Sequence, residues 1–93
     1  MKFVLVIHEV EDFERWKLFF DRAEKIRKKA GEKAYQILKF EKQDRRVVHF
    51  SEWSTLEAAR NFFESAEVIQ IRKEAGVKAP EFFYLEQLAE GTL

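Results

Sequence analysis

The chain opens on a continuous apolar run, Phe3-Val4-Leu5-Val6-Ile7, within a segment that reads as a first strand over residues 2–8. Strands that alternate apolar and polar cover one face of a sheet, whereas continuous runs are buried on both. From 12 to 30 the period lengthens. Phe13, Trp16, Phe19, Phe20, Ala23, Ile26 and Ala30 fall on one side of a helix. Acidic residues (Glu11, Asp12, Glu14) open it, basic ones (Lys25, Arg27, Lys28, Lys29) close it, and Gly31 supplies a stop. Two strands are expected over 33–41 and 46–53, joined as a hairpin around Gln43-Asp44. Ser54-Thr55-Leu56-Glu57 has the form of a capping box with Ser54 as the cap. The helix it opens carries Leu56, Ala59, Phe62 and Phe63 inward and pauses near Ser65. Ser65 then caps a short helix through Val68, Ile69 and Ile71 that ends at Gly76, and Pro80 introduces a last strand over 81–88. The order is βαββαβ. It predicts one α+β, ferredoxin-like domain over 1–93, a four-stranded antiparallel sheet with helices on one face.

Two helices can cover only one side of that sheet, yet both faces are apolar. Side chains alternate along a strand, so Phe3, Leu5 and Ile7 oppose Val4 and Val6, and Phe82 and Tyr84 oppose Phe83 and Leu85. An uncovered face of that kind exceeds what monomers usually tolerate. A second copy of the same face, related by a two-fold axis, is the simplest cover. The expected assembly is a homodimer through the sheet face, enclosing an apolar space where a small aromatic ligand would sit.

Composition narrows the field. The chain has 93 residues, 46% hydrophobic, with 17 basic and 17 acidic side chains that cancel. A neutral chain lacks the basic excess that nucleic-acid binding draws on. No cysteine is present, which removes disulfide and thiolate chemistry. No apolar run approaches a membrane span, and the first ten residues are too short for a signal peptide's apolar core and cleavage site. A cytoplasmic protein with no nucleic-acid or membrane partner is the expectation. No P-loop, dinucleotide fingerprint or nucleophile elbow occurs.

The polar residues of the strands are the candidates for chemistry. His8, at the end of the first strand, and His49, in the third, are the candidate catalytic groups, because imidazole exchanges protons near neutral pH. With a turn at Gln43-Asp44, Gln36 and Ser51 share a face with His49, while Tyr35, Ile37, Val48 and Phe50 meet the helices. A slip of one residue exchanges these faces. Gln36, Ser51, Trp53 and Tyr84 complete the candidate ligand-binding set. Each has a plain structural use as well: large aromatics at strand ends usually fill space, and buried histidines usually satisfy a nearby backbone group. No H-x-x-x-H or comparable spacing supports a metal site, and none is expected.

The string His8-Glu9-Val10-Glu11-Asp12-Phe13 with Trp16, together with Glu52-Trp53-Ser54, Glu57-Ala58 and Ser65, resembles the dimeric α/β-barrel superfamily. The antibiotic-biosynthesis-monooxygenase-like branch is the nearest in kind, and the likeness extends over nearly the whole chain. The resemblance implies oxidation of phenolic or quinol-type substrates without metal or flavin: the pocket helps to deprotonate the phenol, and its anion reacts directly with dioxygen. The chain departs from the branch at Phe62, where many members carry His. Haem-degrading relatives carry Trp there and a ligating His ten residues on, where this chain has Arg72. A guanidinium stays protonated and does not ligate iron, so haem breakdown of that type is not expected. Three functions therefore compete: a cofactor-independent monooxygenase on aromatic compounds, a non-catalytic ligand-binding or regulatory module, and a structural oligomer with a filled barrel.

Overall fold

Asp12, Thr55 and Ser65 set where three helices begin. Their side-chain oxygens accept from the amides of Arg15 (3.2 Å), Ala58 (3.0 Å) and Val68 (3.3 Å). Each thereby satisfies a donor that the first helical turn leaves without a partner. The computed structural model describes all residues, Met1–Leu93. Its elements run β1 (Lys2–Val10), α1 (Phe13–Arg22), α2 (Glu24–Ala30), β2 (Glu32–Phe40), β3 (Gln43–Trp53), α3 (Leu56–Phe63), α4 (Ala66–Glu74) and β4 (Val77–Glu86). The expected βαββαβ order is present, with each helical stretch broken into two. The first break falls at Ala23, where ψ opens to 4°.

Two boundaries differ from expectation for local reasons. The cap of α3 is Thr55 rather than Ser54, because the Ser54 amide is committed to the Gly31 carbonyl at 2.9 Å. Gly31 itself has φ +123°, and a Cβ there would lie 2.5 Å from the Ser54 hydroxyl, so the crossing of the two turns requires glycine. Pro80 lies inside β4 rather than before it. Proline is tolerated there because β4 is an edge strand and the β1–β4 register shifts between Ile7 and Glu9, beside Ala79 at φ 43°.

The four strands form one antiparallel sheet in the order β2-β3-β1-β4. Val4, Val6, His8 and Val10 of β1, and Val47, His49, Ser51 and Trp53 of β3, are buried on the face that meets the helices. Two aromatic clusters fill that layer, one around Trp53 and Phe63, the other around Trp16 and Phe20.

The opposite face carries Phe3, Leu5, Ile7, Val48 and Phe50, with Leu38, Phe83 and Leu85 flanking them at 48%, 43% and 39% exposure. Phe3 stacks on Phe50 with ring centres 5.2 Å apart. The expectation of a sheet greased on both sides holds.

The hairpin corrects one face assignment. Its turn is Glu41-Lys42, with Lys42 at φ 62°, rather than Gln43-Asp44. Phe40 pairs with Gln43, but the next pair is Lys39 with Val47, so residues 44–46 bulge out of the ladder. The pairing slips by one. Gln36 lies opposite Phe50, while Tyr35 and Ile37 lie opposite Ser51 and His49. Tyr35 and Ile37 thus share the helix side with His49, and Val48, Phe50 and Gln36 belong to the open face.

Candidate functional site

Arg27 follows Phe20 by seven residues, so it shares the inward stripe of Trp16, Phe20 and Ala23 although it is charged. Its guanidinium lies 3.6 Å from the centre of the Phe20 ring. It donates to the Phe20 carbonyl and, through Nε, to Glu32 Oε1 at 2.6 Å. Glu32 turns inward because the β2–β3 register shifts between Glu32 and Ala34. Its second oxygen, Oε2, lies 2.6 Å from His49 Nε2. Arg27, Glu32 and His49 are 4%, 9% and 2% exposed, so the row is sealed from water. A carboxylate paired with arginine only accepts, so the proton between Glu32 and His49 belongs on Nε2. That leaves Nδ1 as the nitrogen of a neutral His49 that can accept one.

His8 is the diagonal neighbour of His49 on the same face, since β1 and β3 pair Val6 with His49 and His8 with Val47. Its ring centre is 5.4 Å from that of Trp16, and its buried Nδ1 has no hydrogen-bond partner. Burial pushes its pKa from 6.5 down to about 3, and the charges of His49 and Arg72 push the same way. Neutral His8 is therefore a hydrogen-bonding group and a poor proton acceptor near pH 7. Arg72, on α4, is half-buried. Its Nη1 is buried without a partner, its guanidinium lies 5.0 Å from the Phe82 ring, and burial holds its pKa below the usual arginine value.

These groups surround a cavity of about 60 Å³ between the sheet and the helices of the same subunit. His8, His49, Arg27 and Arg72 are its polar lining; Trp16, Phe19, Phe20, Phe62, Phe63 and Ile71 are among its apolar walls. A water needs roughly 10–15 Å³ measured this way, and benzene fills a cavity of roughly 150 Å³. Its interior takes a few waters or a small polar group, and a whole aromatic ring enters it only if wall side chains move.

Of the six expected site residues, the structure brings His8 and His49 to this cavity. The other four lie elsewhere. Gln36 is on the open face. Ser51 is occupied, donating to the Val4 carbonyl at 3.3 Å and accepting from the Trp53 indole at 2.7 Å. Trp53 packs on Phe62 and Phe63 as a core residue. Tyr84 sits on the helix side of β4 with Arg60 stacked 4.3 Å from its ring centre, and burial, with Glu64, raises its phenol pKa. Arg27 and Glu32 escaped the sequence reading. The one available signal was a charge at a stripe position of α2; the inward turn of Glu32 depends on a bulge that alternation does not foretell. No group of three His, Cys, Asp or Glu side chains is placed to hold a metal ion, and no helix is long and apolar enough to cross a membrane.

The sequence matches no protein-family model and no curated protein. Solved structures do match. SnoaB, a cofactor-independent oxygenase from Streptomyces nogalater, superposes with a TM-score of 0.74 at 15% identity, over 99% of this chain and 95% of that one. A protein from Deinococcus radiodurans, provisionally assigned as an antibiotic biosynthesis monooxygenase, gives 0.71 at 16% identity over 100% and 98%. A Caulobacter crescentus protein of the same provisional assignment gives 0.73 at 15% over 95% and 90%. Together with the strand order and the helices on one face, these likenesses give this chain the ferredoxin-like α+β fold of the antibiotic-biosynthesis-monooxygenase-like domains.

Proposed function

We propose that each subunit binds a small phenolic compound between its sheet and helices and oxidises it with dioxygen, with no bound cofactor. The observation that supports this most is His49 in the wall of a largely apolar cavity, with Glu32 held against its Nε2 from behind. A carboxylate that fixes the tautomer of an imidazole, and faces the charge formed when it takes a proton, makes a general base. His49 Nδ1 would remove the phenol proton. The carbon para to the resulting oxyanion passes an electron to dioxygen, and the two radicals join as a C–O bond. Loss of the proton on that carbon, with cleavage of the O–O bond, gives a quinone and water. The substrate supplies every electron, and phenol plus dioxygen balances quinone plus water. His8, neutral at working pH, orients; burial supplies desolvation.

Oxygen uptake with a panel of one-, two- and three-ring phenols and hydroquinones tests this. Dioxygen should be consumed one-to-one with quinone formed, and His49→Ala should lower kcat at least a hundredfold, in line with the roughly 10²–10⁴ that general bases contribute. Uptake that survives in His49→Ala would remove the base from the scheme. A second reading, a ligand-binding module without turnover, is favoured by the smallness of the cavity; tight binding with no oxygen uptake would select it.

The same proposal includes a homodimer closed through the open sheet face, supported by Phe3, Leu5, Ile7, Phe50, Phe83 and Leu85 lying together without cover from their own chain. Light scattering at micromolar concentration should give twice the chain mass, and Phe50→Lys should give monomers. A monomeric wild-type mass would end this part of the reading.

A further inference from the structure

Two buried polar atoms have no hydrogen-bond partner anywhere in the molecule, His8 Nδ1 and Arg72 Nη1, and both residues line the same cavity. Buried side-chain polar atoms are nearly always satisfied, so a pair of exceptions in one cavity marks a place where something else binds. What binds is narrowed by charge. Arg72 forms no ion pair; the salt bridges of the subunit use Lys2, Lys17, Arg27, Lys39, Arg46, His49 and Lys78 instead. Glu32, the acidic side chain nearest in role, has both oxygens occupied by Arg27 and His49. A half-buried guanidinium left without a counter-charge is costly to keep, and an anionic oxygen is the ligand that relieves it.

We infer that this end of the cavity is an oxyanion site, in which Arg72 and His8 hold the ionised oxygen of a phenol or carboxylic acid. The inference rests on the proposed pocket and names the ligand class it selects. The space fits. About 60 Å³ takes the charged end of such a molecule, while Phe19, Ile26, Phe62 and Ile71, all partly exposed, would flank its apolar remainder.

Benzoate and 4-nitrophenolate serve as anionic probes, with benzamide and 4-nitroanisole as neutral counterparts of similar size, all measured by calorimetry on the full chain. Both anions, or one, should bind at least tenfold tighter than the neutral partner, and which one does so separates carboxylic acids from phenols. Arg72→Met should abolish the preference, while Arg60→Met, at a residue that stacks on Tyr84 and does not line the cavity, should keep it. The melting temperature of Arg72→Met should not fall, which separates loss of the site from loss of the fold. Equal binding of neutral and anionic probes, a preference that survives in Arg72→Met, or no binding of any probe at millimolar concentration would overturn the inference. Oxygen uptake without an anion preference defeats this inference alone; an Arg72-dependent preference without uptake defeats the oxygenase proposal alone.

Discussion

Replacing Glu32 with alanine should destabilise the chain by about 3–5 kcal/mol, the range for stripping one partner from a buried ion pair. The variant leaves the Arg27 guanidinium with only the Phe20 carbonyl, and leaves His49 Nε2 with nothing to donate to. Urea unfolding followed by tryptophan fluorescence reads the change directly. The double variant Glu32→Leu/Arg27→Met separates lost attraction from stranded charge. It removes both ions, and its cost should fall to about 1–3 kcal/mol, the price of an unsatisfied His49 donor. If the double variant is as unstable as Glu32→Ala, the ion row has a role beyond mutual compensation. Should Glu32→Ala cost less than about 1 kcal/mol, water reaches the row and the buried description is wrong.

Acid should act through His8. Its pKa in the folded chain is lowered from 6.5 to about 3, so folding favours the neutral ring. This group's contribution is complete above its unfolded pKa and is lost as the pH falls from 6.5 toward 3. Each pH unit in that window removes about 1.4 kcal/mol, so a drop from 6.5 to 4 removes about 3 kcal/mol. His8→Gln cannot take the proton. Its stability should fall less steeply with acid than that of the wild type, the two curves converging by about that amount over the window. Parallel curves would mean that His8 titrates normally in the folded chain and that its environment is wetter than the structure has it.

Much of the architecture was legible because it depends on period alone. The run Phe3–Ile7 and the helical spacing of Trp16, Phe20 and Ala23 need no partner to be read, and the doubly apolar sheet follows from counting alternation. Ser65 was legible as a cap because every group it uses is local, its hydroxyl accepting from the Val68 amide three residues on; Ser54 was misread because its amide is tied to Gly31, a contact 23 residues away in the chain. The site was legible only in its histidines. Gln36 was placed beside His49 because the turn lies two positions earlier and residues 44–46 bulge, which together slip the pairing by one, and alternation then carried that slip along β2. Glu32 and Arg27 were invisible for a different reason. Charges on either side of a helix stop read as solvated ends, and only the bulge after Glu32, closing against Trp53, reveals that they point inward. The location of the cavity was likewise beyond periodicity, since it depends on whether facing side chains fill the layer between helices and sheet. They fall short of filling it around Arg72.

The three residues that bulge out of the β2–β3 hairpin have a consequence for how this chain can vary. Gain or loss of a single residue between Gln43 and Arg46 would turn Gln36 and Leu38 toward the helices and expel Tyr35 and Ile37. A change of two restores the original orientation. Length differences at this loop should therefore come in even steps, so that parity, more than loop length, is what natural variants must preserve.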